Sequence, residues 1–315
     1  MQLDWINSFL AVVEYGSFSA AADALRRSQP RISAHIAALE RCVEARLFDR
    51  DCRPVALTDA GRTLVPHARQ VIFEIDAARA DVAAVTGGQR GDVRLGSYPS
   101  ASAAFLPVVL ERLGAEYPGI RVRLLEMGSV DLETFLAQRD VDLMLRPLDP
   151  PMHTLMTVSR TLWSEDAVAV LPDGHDLAAV PDPLKISDVV AHPIITTGRA
   201  QDAVIGGASM PEMYLRLRRS GHVADVAFET TQPQTMVSLV RHGHGVGVVN
   251  MLAATSSDIH GLVIRRIEGL ESARTVAVHW LERGLRSVAA QILLDTILTT
   301  PVPADAIPAH DAGGS

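Results

Sequence analysis

The chain has 315 residues, a net charge of −8 and two cysteines, with 48% hydrophobic and 21% charged residues. This length suffices for two domains with separate cores, while the cysteine pair excludes a disulfide scaffold and cannot by itself hold a structural zinc ion. Residues 1–90 contain 11 arginines and 11 acidic residues, so the acidic excess lies after residue 90 and any nucleic-acid contact requires a local basic patch.

The N-terminal sequence predicts three successive helices. Apolar spacing indicates a first helix over residues 3–14, and Gly16 is placed to end it as a C-cap. A short alanine-rich helix over residues 19–25 follows. A third helix is predicted from the N-cap residue Ser28 to about residue 41. Helix, tight turn and capped helix over about residues 18–37 is the plan of a helix-turn-helix.

The third helix has two contrasting faces. Ile32, Ile36 and Leu39 recur at helical spacing and are predicted to be buried, whereas the opposite face is small and nearly uncharged. Such a face can enter a DNA major groove closely. The residues predicted to contact DNA here are Arg26, Arg27, Ser28, Gln29, Pro30, Arg31, Ser33, Ala34 and His35. The spacing alone also fits an αα-hairpin in an enzyme.

A β-hairpin is predicted to follow, with strands near residues 48–50 and 55–57. Arg50 and Arg53 flank its tip, where they would reach DNA phosphates in the manner of a wing. The alternative is two solvated arginines on an exposed hairpin. Cys52 lies between them and is interpreted as an incidental thiol.

A long helix is predicted from Asp59 to about Val85, with Thr58 as its cap. Apolar residues recur along it at alternating spacings of four and three. This seam consists of Leu64, Ala68, Val71, Ile75, Ala78, Val82 and Val85. The heptad pattern predicts a dimerisation helix, and the alternative is an amphipathic helix packed on its own domain.

The first sixty residues carry a more specific pattern. It comprises Phe9, Val12, Gly16-Ser17-Phe18, Ala21-Ala22, Leu25, Ser28-Gln29-Pro30, Ile32-Ser33, Ile36, Leu39-Glu40, Leu47-Phe48, Arg50, Leu57-Thr58 and Gly61. This pattern resembles the N-terminal domain of LysR-type transcriptional regulators. The resemblance implies a winged helix-turn-helix joined by a long helix to a periplasmic-binding-protein-like effector domain. It also implies a homotetramer, built as a dimer of dimers, that binds double-stranded DNA and responds to small molecules.

The predicted domains follow from these elements: residues 1–58 bind DNA, residues 59–86 form the linker helix and residues 87–91 form a Gly-rich hinge. Alternating strands and helices over residues 92–300 predict an α/β effector domain with a parallel sheet in each lobe. The overall fold class is thus α+β and α/β. Lobe I is predicted over about residues 92–161 and 266–300 and lobe II over about 162–265. The Pro-, Ala- and Gly-rich tail, residues 301–315, is predicted to be disordered.

Ligands bind such sheets at the carboxyl ends of strands, and the resemblance places effectors there, between the lobes. The candidate effector-binding residues near these ends are Ser97, Tyr98, Ser100, Ala101, Ser102, Gly128, Ser129, Arg146, Thr196, Thr197, Arg199, Glu229 and Thr230. Hydroxyl groups together with Arg146 and Arg199 predict a small anionic organic effector. Arg146 could instead pair with a carboxylate such as Asp149, and Arg199 could be solvated.

Enzyme signatures are absent from the sequence, which contains neither Gly-x-Ser-x-Gly nor a phosphate loop, and residues 243–247 are interpreted as a turn. No cofactor and no metal site are predicted. Without an apolar run of membrane length or a signal peptide, the protein is expected in the cytoplasm. The leading hypothesis is a ligand-controlled transcription factor. The rivals are a small-molecule-binding protein without a DNA role and an enzyme with a two-lobed α/β domain.

Overall fold

The computed structural model describes residues 1–49, 54–85, 90–149, 151–152, 157–198, 204–205, 208–209, 212–270, 274–282, 284–285 and 287–309. These residues divide into two compact units: the N-terminal one ends with a long helix, and the C-terminal one contains two six-stranded β-sheets and the two-stranded pair of residues 204–205 and 208–209. Within the described ranges, no helix is both long enough and apolar enough to cross a bilayer.

The N-terminal unit contains the predicted elements. In chain order they are α1 (Leu3–Tyr15), α2 (Phe18–Ala24), α3 (Gln29–Cys42), β1 (Phe48–Asp49), β2 (Ala56–Leu57) and α4 (Asp59–Val85). The strands β1 and β2 pair antiparallel, as expected for the hairpin. Ile32, Ile36 and Leu39 are fully buried and form the core with Phe9 of α1. The hairpin tip with Arg50, Cys52 and Arg53 lies outside the described residues.

The ends of the first three helices agree with the prediction at Gly16 and differ from it in the capping bond at Ser28. Gly16 ends α1 with φ 66°, a left-handed conformation that favours glycine. Helix α2 is capped by Ser17, whose Oγ accepts a hydrogen bond from the Ala20 amide at 3.1 Å. Ser28 occupies the N-cap position of α3, but its side chain accepts no capping bond. The turn before it includes Arg26 at φ 51°.

Helix α4 begins as predicted, because the Thr58 hydroxyl accepts a hydrogen bond from the Gly61 amide at 3.0 Å. A Cβ atom on Gly61 would lie 2.1 Å from the Leu47 carbonyl oxygen, so only glycine lets α4 approach the chain that closely. The predicted seam divides into two parts. Ala68 is buried in the core of its own unit, whereas Val82 is 66% exposed. The packing of the N-terminal unit therefore occupies only the start of the seam.

The C-terminal unit alternates strands and helices from residue 91 onward. In chain order they are β3 (Gly91–Ser97), α5 (Pro99–Ala104), α6 (Leu106–Glu116), β4 (Ile120–Glu126), α7 (Ser129–Ala137), β5 (Leu143–Pro147), β6 (Thr157–Glu165), β7 (Ala167–Pro172), β8 (Leu184–Lys185), α8 (Ile186–Val189), β9 (Ile194–Thr197), β10 (Val204–Ile205), β11 (Ala208–Ser209), α9 (Glu212–Arg219), β12 (Val226–Thr230), α10 (Pro233–Arg241), β13 (Val246–Asn250), α11 (Met251–Thr255), β14 (Leu262–Glu268), β15 (Arg274–Leu281), α12 (Val288–Thr299) and β16 (Ile307–Pro308).

Two six-stranded sheets organise this unit, with strand orders β16-β6-β15-β5-β3-β4 and β12-β9-β13-β7-β14-β8. The prediction of parallel sheets holds for β3 with β4 and β5 and for β9 with β12 and β13. It is wrong for β6, β7 and β15, which form antiparallel ladders, and for the pairing of β14 with β7, although β14 is parallel to β8. Both sheets are therefore mixed.

The chain passes from the first sheet to the second after Glu165 and returns before Arg274. The predicted lobe boundaries at 161/162 and 265/266 thus cut through β6 and β14, which the sequence did not predict as strands. In β6 the buried residues appear only near its end, and the exposed residues in its middle interrupt the apolar signal. We therefore revise the boundaries to residue 166 and to the segment between residues 268 and 274.

The predicted disordered tail is wrong for residues 301–309. Ile307 and Pro308 pair antiparallel with Ser164 and Trp163, and Ala306 is buried in the same apolar cluster as Trp163. Burial against a large aromatic side chain outweighs the breaker-rich composition that suggested disorder. Residues 310–315 lie outside the described part of the chain.

Candidate functional site

The first candidate site is the outer face of α3 and the turn before it. Residues 26–31 and Ala34 are exposed there, and Ser33 is half-buried. The Gln29 side-chain amide donates a hydrogen bond to the Ser33 hydroxyl at 3.1 Å. Arg31 Nη2 lies 3.9 Å from Asp4 Oδ2, and both side chains are about half exposed, so this ion pair holds the guanidinium only weakly.

His35 stands apart from this exposed set. It is half-buried, and its Nδ1 atom lies 2.8 Å from the Ser8 hydroxyl oxygen of α1. The Ser8 hydroxyl donates its single proton to the Asp4 carbonyl oxygen at 2.8 Å, so Nδ1 of His35 is the donor in the second bond. His35 therefore braces α3 against α1, and part of the residue remains exposed.

The second candidate site is a cavity of about 170 Å³ at the strand ends of both sheets. The first sheet contributes the residues that follow β3 and β4, and the second contributes those that follow β9 and β12. The lining consists of Tyr98, Pro99, Ser100, Glu126, Met127, Gly128, Ser129, Thr197, Gly198, Thr231, Gln232, Pro233, Ala253 and Arg274. Helices α7 and α10 begin at this cavity, so their free N–H groups favour a negatively charged occupant.

Five of the predicted effector residues line this cavity: Tyr98, Ser100, Gly128, Ser129 and Thr197. Those that do not are Ser97, Ala101, Ser102, Arg146, Thr196, Glu229 and Thr230. Thr196 and Thr230 lie within the strands β9 and β12 and not in the loops after them. Their hydroxyls donate hydrogen bonds to the carbonyl oxygens of Val248 and Gln232, respectively. Arg199 lies outside the described residues.

Arg146 belongs to the core of the first sheet. It lies within β5 and is 1% exposed, and its Nη1 atom is 3.8 Å from Glu133 Oε2 on α7. The suggested partner Asp149 binds Arg219 instead, at 3.1 Å. Contrary to the prediction, Arg146 therefore does not line this cavity, because it lies inside the strand β5 and not in the loop that follows it.

The buried positive charge of Arg146 has a measurable consequence for its neighbour His279, which is 2% exposed. Burial and this charge lower the pKa of His279 to about 4. Between pH 6.5 and 4 the unfolded chain binds a proton that folded His279 does not. The free energy of unfolding is therefore expected to fall by about 3 kcal/mol as the pH drops through this window.

Urea unfolding of the full chain at several pH values measures this effect. His279→Met should flatten the pH dependence, whereas the control His260→Gln changes an exposed histidine and should leave it intact. An equally steep loss of stability in His279→Met would contradict the assignment.

Sequence reasoning missed Arg274, the first residue of β15. It is half-buried, and its guanidinium carbon lies 4.5 Å from the centroid of the Tyr98 ring. The apolar pattern of this strand begins only at Val276, so sequence reasoning assigned Arg274 no role. Among the described lining residues, Arg274 and Glu126 are the charged ones. No group of three or more His, Cys, Asp or Glu residues in the described ranges is arranged to hold a metal ion.

Comparisons with known proteins agree with this two-part layout. Residues 3–62 match the model of the lysR-family bacterial regulatory helix-turn-helix protein, and residues 86–301 match the LysR substrate binding domain. The chain is 30% identical to the transcriptional activator protein LysR of Escherichia coli over 84% of this chain and 83% of that protein. It is 26% identical to the uncharacterized HTH-type transcriptional regulator YvbU of Bacillus subtilis, over 84% and 87% of the two chains.

Solved structures show the same fold. A full-length OxyR variant of Pseudomonas aeruginosa superposes with a TM-score of 0.73 at 19% identity, covering 96% of this chain and 99% of that one. Full-length CbnR in complex with its target DNA superposes with a TM-score of 0.67 at 18% identity, covering 94% and 99%.

Proposed function

The chain belongs to the LysR family of DNA-binding transcriptional regulators with a C-terminal effector-binding domain. On the basis of this membership we propose a role for each of three parts of the chain. The outer face of α3 reads DNA, the exposed part of α4 joins two subunits, and the cavity at the strand ends takes a small effector. The family consists of regulators, so we propose no catalytic role for the chain. A regulator of this kind acts on chromosomal DNA, so we expect it in the cytoplasm.

The DNA-binding proposal rests on the exposed small-residue face of α3. The proposed contact residues on α3 and in the turn before it are Arg26, Arg27, Ser28, Gln29, Pro30, Arg31, Ser33 and Ala34. Arg50 and Arg53, which belong to the part of the hairpin outside the described residues, are proposed as further contacts. His35 is half-buried against α1, and we propose that its exposed part also belongs to the contact set.

Arg31→Ala or Ser33→Ala is expected to weaken binding to the specific site by roughly 1–3 kcal/mol, because each change removes a groove contact while the helix stays folded. Fluorescence anisotropy on specific and scrambled duplexes at two salt concentrations measures the loss. Arg121→Ala, an exposed arginine of the C-terminal unit, is the control. Unchanged affinity in both α3 variants would remove this face from the DNA-binding proposal and favour the rival of a ligand-binding protein without a DNA role.

The assembly proposal rests on α4. Beyond Ala68 the apolar seam continues through Val71, which is 38% exposed, and Val82, which is 66% exposed. Two such seams can bury each other in a pair of helices. We propose a dimer through α4 and a tetramer made of two such dimers. Membership of the LysR family, whose regulators form oligomers, supports this arrangement.

The effector proposal rests on one observation, namely that strand ends of both sheets and the first turns of α7 and α10 meet at one cavity. Its volume of about 170 Å³ suits a compact molecule. Helix N-termini and the hydroxyls of Ser100 and Thr197 favour an anionic group. The test is a thermal-shift screen of small carboxylates on the full chain, followed by DNA footprinting with and without the best ligand. A ligand that stabilises the protein without altering the footprint would contradict this control mechanism.

A further inference from the structure

The two crossings of the chain between the sheets meet at one pair of charged residues. Glu165 is the last residue of β6, and Arg274 is the first residue of β15. They stand directly opposite each other in the antiparallel ladder, and side chains of such pairs share one face with Cβ atoms about 5 Å apart. An acidic and a basic side chain therefore mark the point where the polypeptide leaves and re-enters the first sheet.

Glu165 is fully buried, and it is hydrogen-bonded to the chain segments that follow one strand of each sheet. Its Oε1 atom accepts a hydrogen bond from the Tyr98 hydroxyl at 3.3 Å, and its Oε2 atom accepts one from the Leu252 amide at 3.1 Å. Tyr98 follows β3 of the first sheet, whereas Leu252 lies in α11, which follows β13 of the second. One carboxylate thus ties the two sheets together, and the loss of either bond would weaken this connection.

Arg274 connects this buried carboxylate to the cavity. Its guanidinium lies over the Tyr98 ring, whose hydroxyl is bound to Glu165, and its side chain also lines the cavity. The planar guanidinium can stack on an aromatic ring and still direct N–H groups at a carboxylate. Glu126, the other charged lining residue, is exposed at the end of β4, three strands away from β15.

We infer that Arg274 selects a carboxylate ligand for this cavity and that Tyr98 and Glu165 transmit its binding to the crossing between the sheets. The inference rests on the proposed effector site and names the ligand chemistry and the route of control. Arg274 is the residue that binds the ligand, and Tyr98 and Glu165 are positioning residues that act through it.

The proposed route of control is electrostatic. A ligand carboxylate bound to Arg274 brings a second negative charge near Glu165, whose hydrogen bonds to Tyr98 and Leu252 join the two sheets. The arrangement of the two sheets that tolerates the second anion is favoured when the ligand is bound. By linkage, whatever stabilises that arrangement on DNA also tightens ligand binding by the same factor.

Calorimetry on the full chain tests the selecting role of Arg274. The probes are acetate, malonate, succinate, glutarate and benzoate, each compared with its neutral amide. We expect at least one carboxylate to bind and its amide to bind at least about tenfold more weakly, since one charge-assisted pair is worth a factor of this order. Arg274→Gln should remove this preference, and Arg274→Lys should retain part of it because the charge remains without the fork. Equal binding of carboxylate and amide to the wild type, or an undiminished preference in Arg274→Gln, would overturn the inference.

Glu165→Gln tests the transmitting role, because Glu165 is bound to Tyr98 and Leu252 but does not line the cavity. We expect carboxylate affinity within about threefold of the wild type and loss of the ligand-induced change in the DNA footprint. Tyr98→Phe should also lose this response, because it keeps the ring under Arg274 and removes only the hydroxyl that binds Glu165. Tyr117→Phe, a half-buried tyrosine outside the cavity, is the control and should keep both the affinity and the response.

A normal response in Tyr98→Phe and Glu165→Gln would overturn the transmitting role. Absence of any footprint in the wild type would instead count against the proposed function, so the two failures are distinguishable.

Discussion

Ile75→Asp is expected to convert the protein into monomers. Ile75 lies in the middle of the α4 seam and is half-buried within its own subunit, so a partner helix would cover the remainder. Dimerisation would then bury two uncompensated carboxylates, at a cost of at least about 4 kcal/mol per dimer. Light scattering and analytical ultracentrifugation measure the change in mass. Cooperative binding to two DNA sites should disappear with the dimer.

Two further variants make this test independent of folding defects. Val82→Asp changes a side chain that is 66% exposed, so the fold of the subunit should be untouched while the dimer is lost. Gln70→Asp introduces the same charge on a different side of the helix and should remain dimeric. Dimers in both Ile75→Asp and Val82→Asp would show that α4 is not the dimerisation helix.

Ala34→Glu is expected to abolish specific DNA binding. Ala34 is exposed in the middle of the small face of α3, where a short side chain permits close approach to the floor of a groove. A glutamate adds both bulk and a negative charge beside the phosphates, and we expect a loss of about 3–4 kcal/mol, or at least about a hundredfold in affinity.

Ala115→Glu provides the matched control. It makes the same chemical change at an exposed alanine of α6 in the C-terminal unit, so the net charge of the two variants is identical. Anisotropy titrations should show near-normal affinity for this control. If Ala34→Glu also bound the specific site normally, α3 would not be the recognition helix.

The N-terminal unit was predictable because its core is local. Ile32, Ile36 and Leu39 fall at helical spacing within α3. These three residues and Phe9 of α1 are fully buried. Helix boundaries were correct to within one residue, since Gly16 and Thr58 carry unambiguous capping chemistry. The missing hydrogen bond at Ser28 shows the limit of this reasoning, because an N-cap position can be held by backbone geometry alone.

The effector cavity was only partly predictable, and Arg146 shows why. The apolar-rich run in the sequence covers residues 141–145, whereas the strand β5 spans Leu143–Pro147. A shift of two residues moved Arg146 from a loop at the cavity to the sheet interior. Arg274 was missed for a related reason, because its strand begins two residues earlier than the apolar pattern indicates. Neither boundary has a local signal, since both depend on pairing with distant strands.

The two crossings also determine when the C-terminal unit can fold during synthesis. Strand β15 lies between β6 and β5 in the first sheet, yet the whole second sheet precedes it in the chain. This sheet can therefore close only after the ribosome has released the chain through β15, which ends at Leu281, and contacts this distant in sequence form slowly. The described core of the helix-turn-helix lies within the first 72 residues, so this unit can form long before. A nascent chain stalled near residue 270 should accordingly carry a folded DNA-binding unit and a protease-sensitive first sheet.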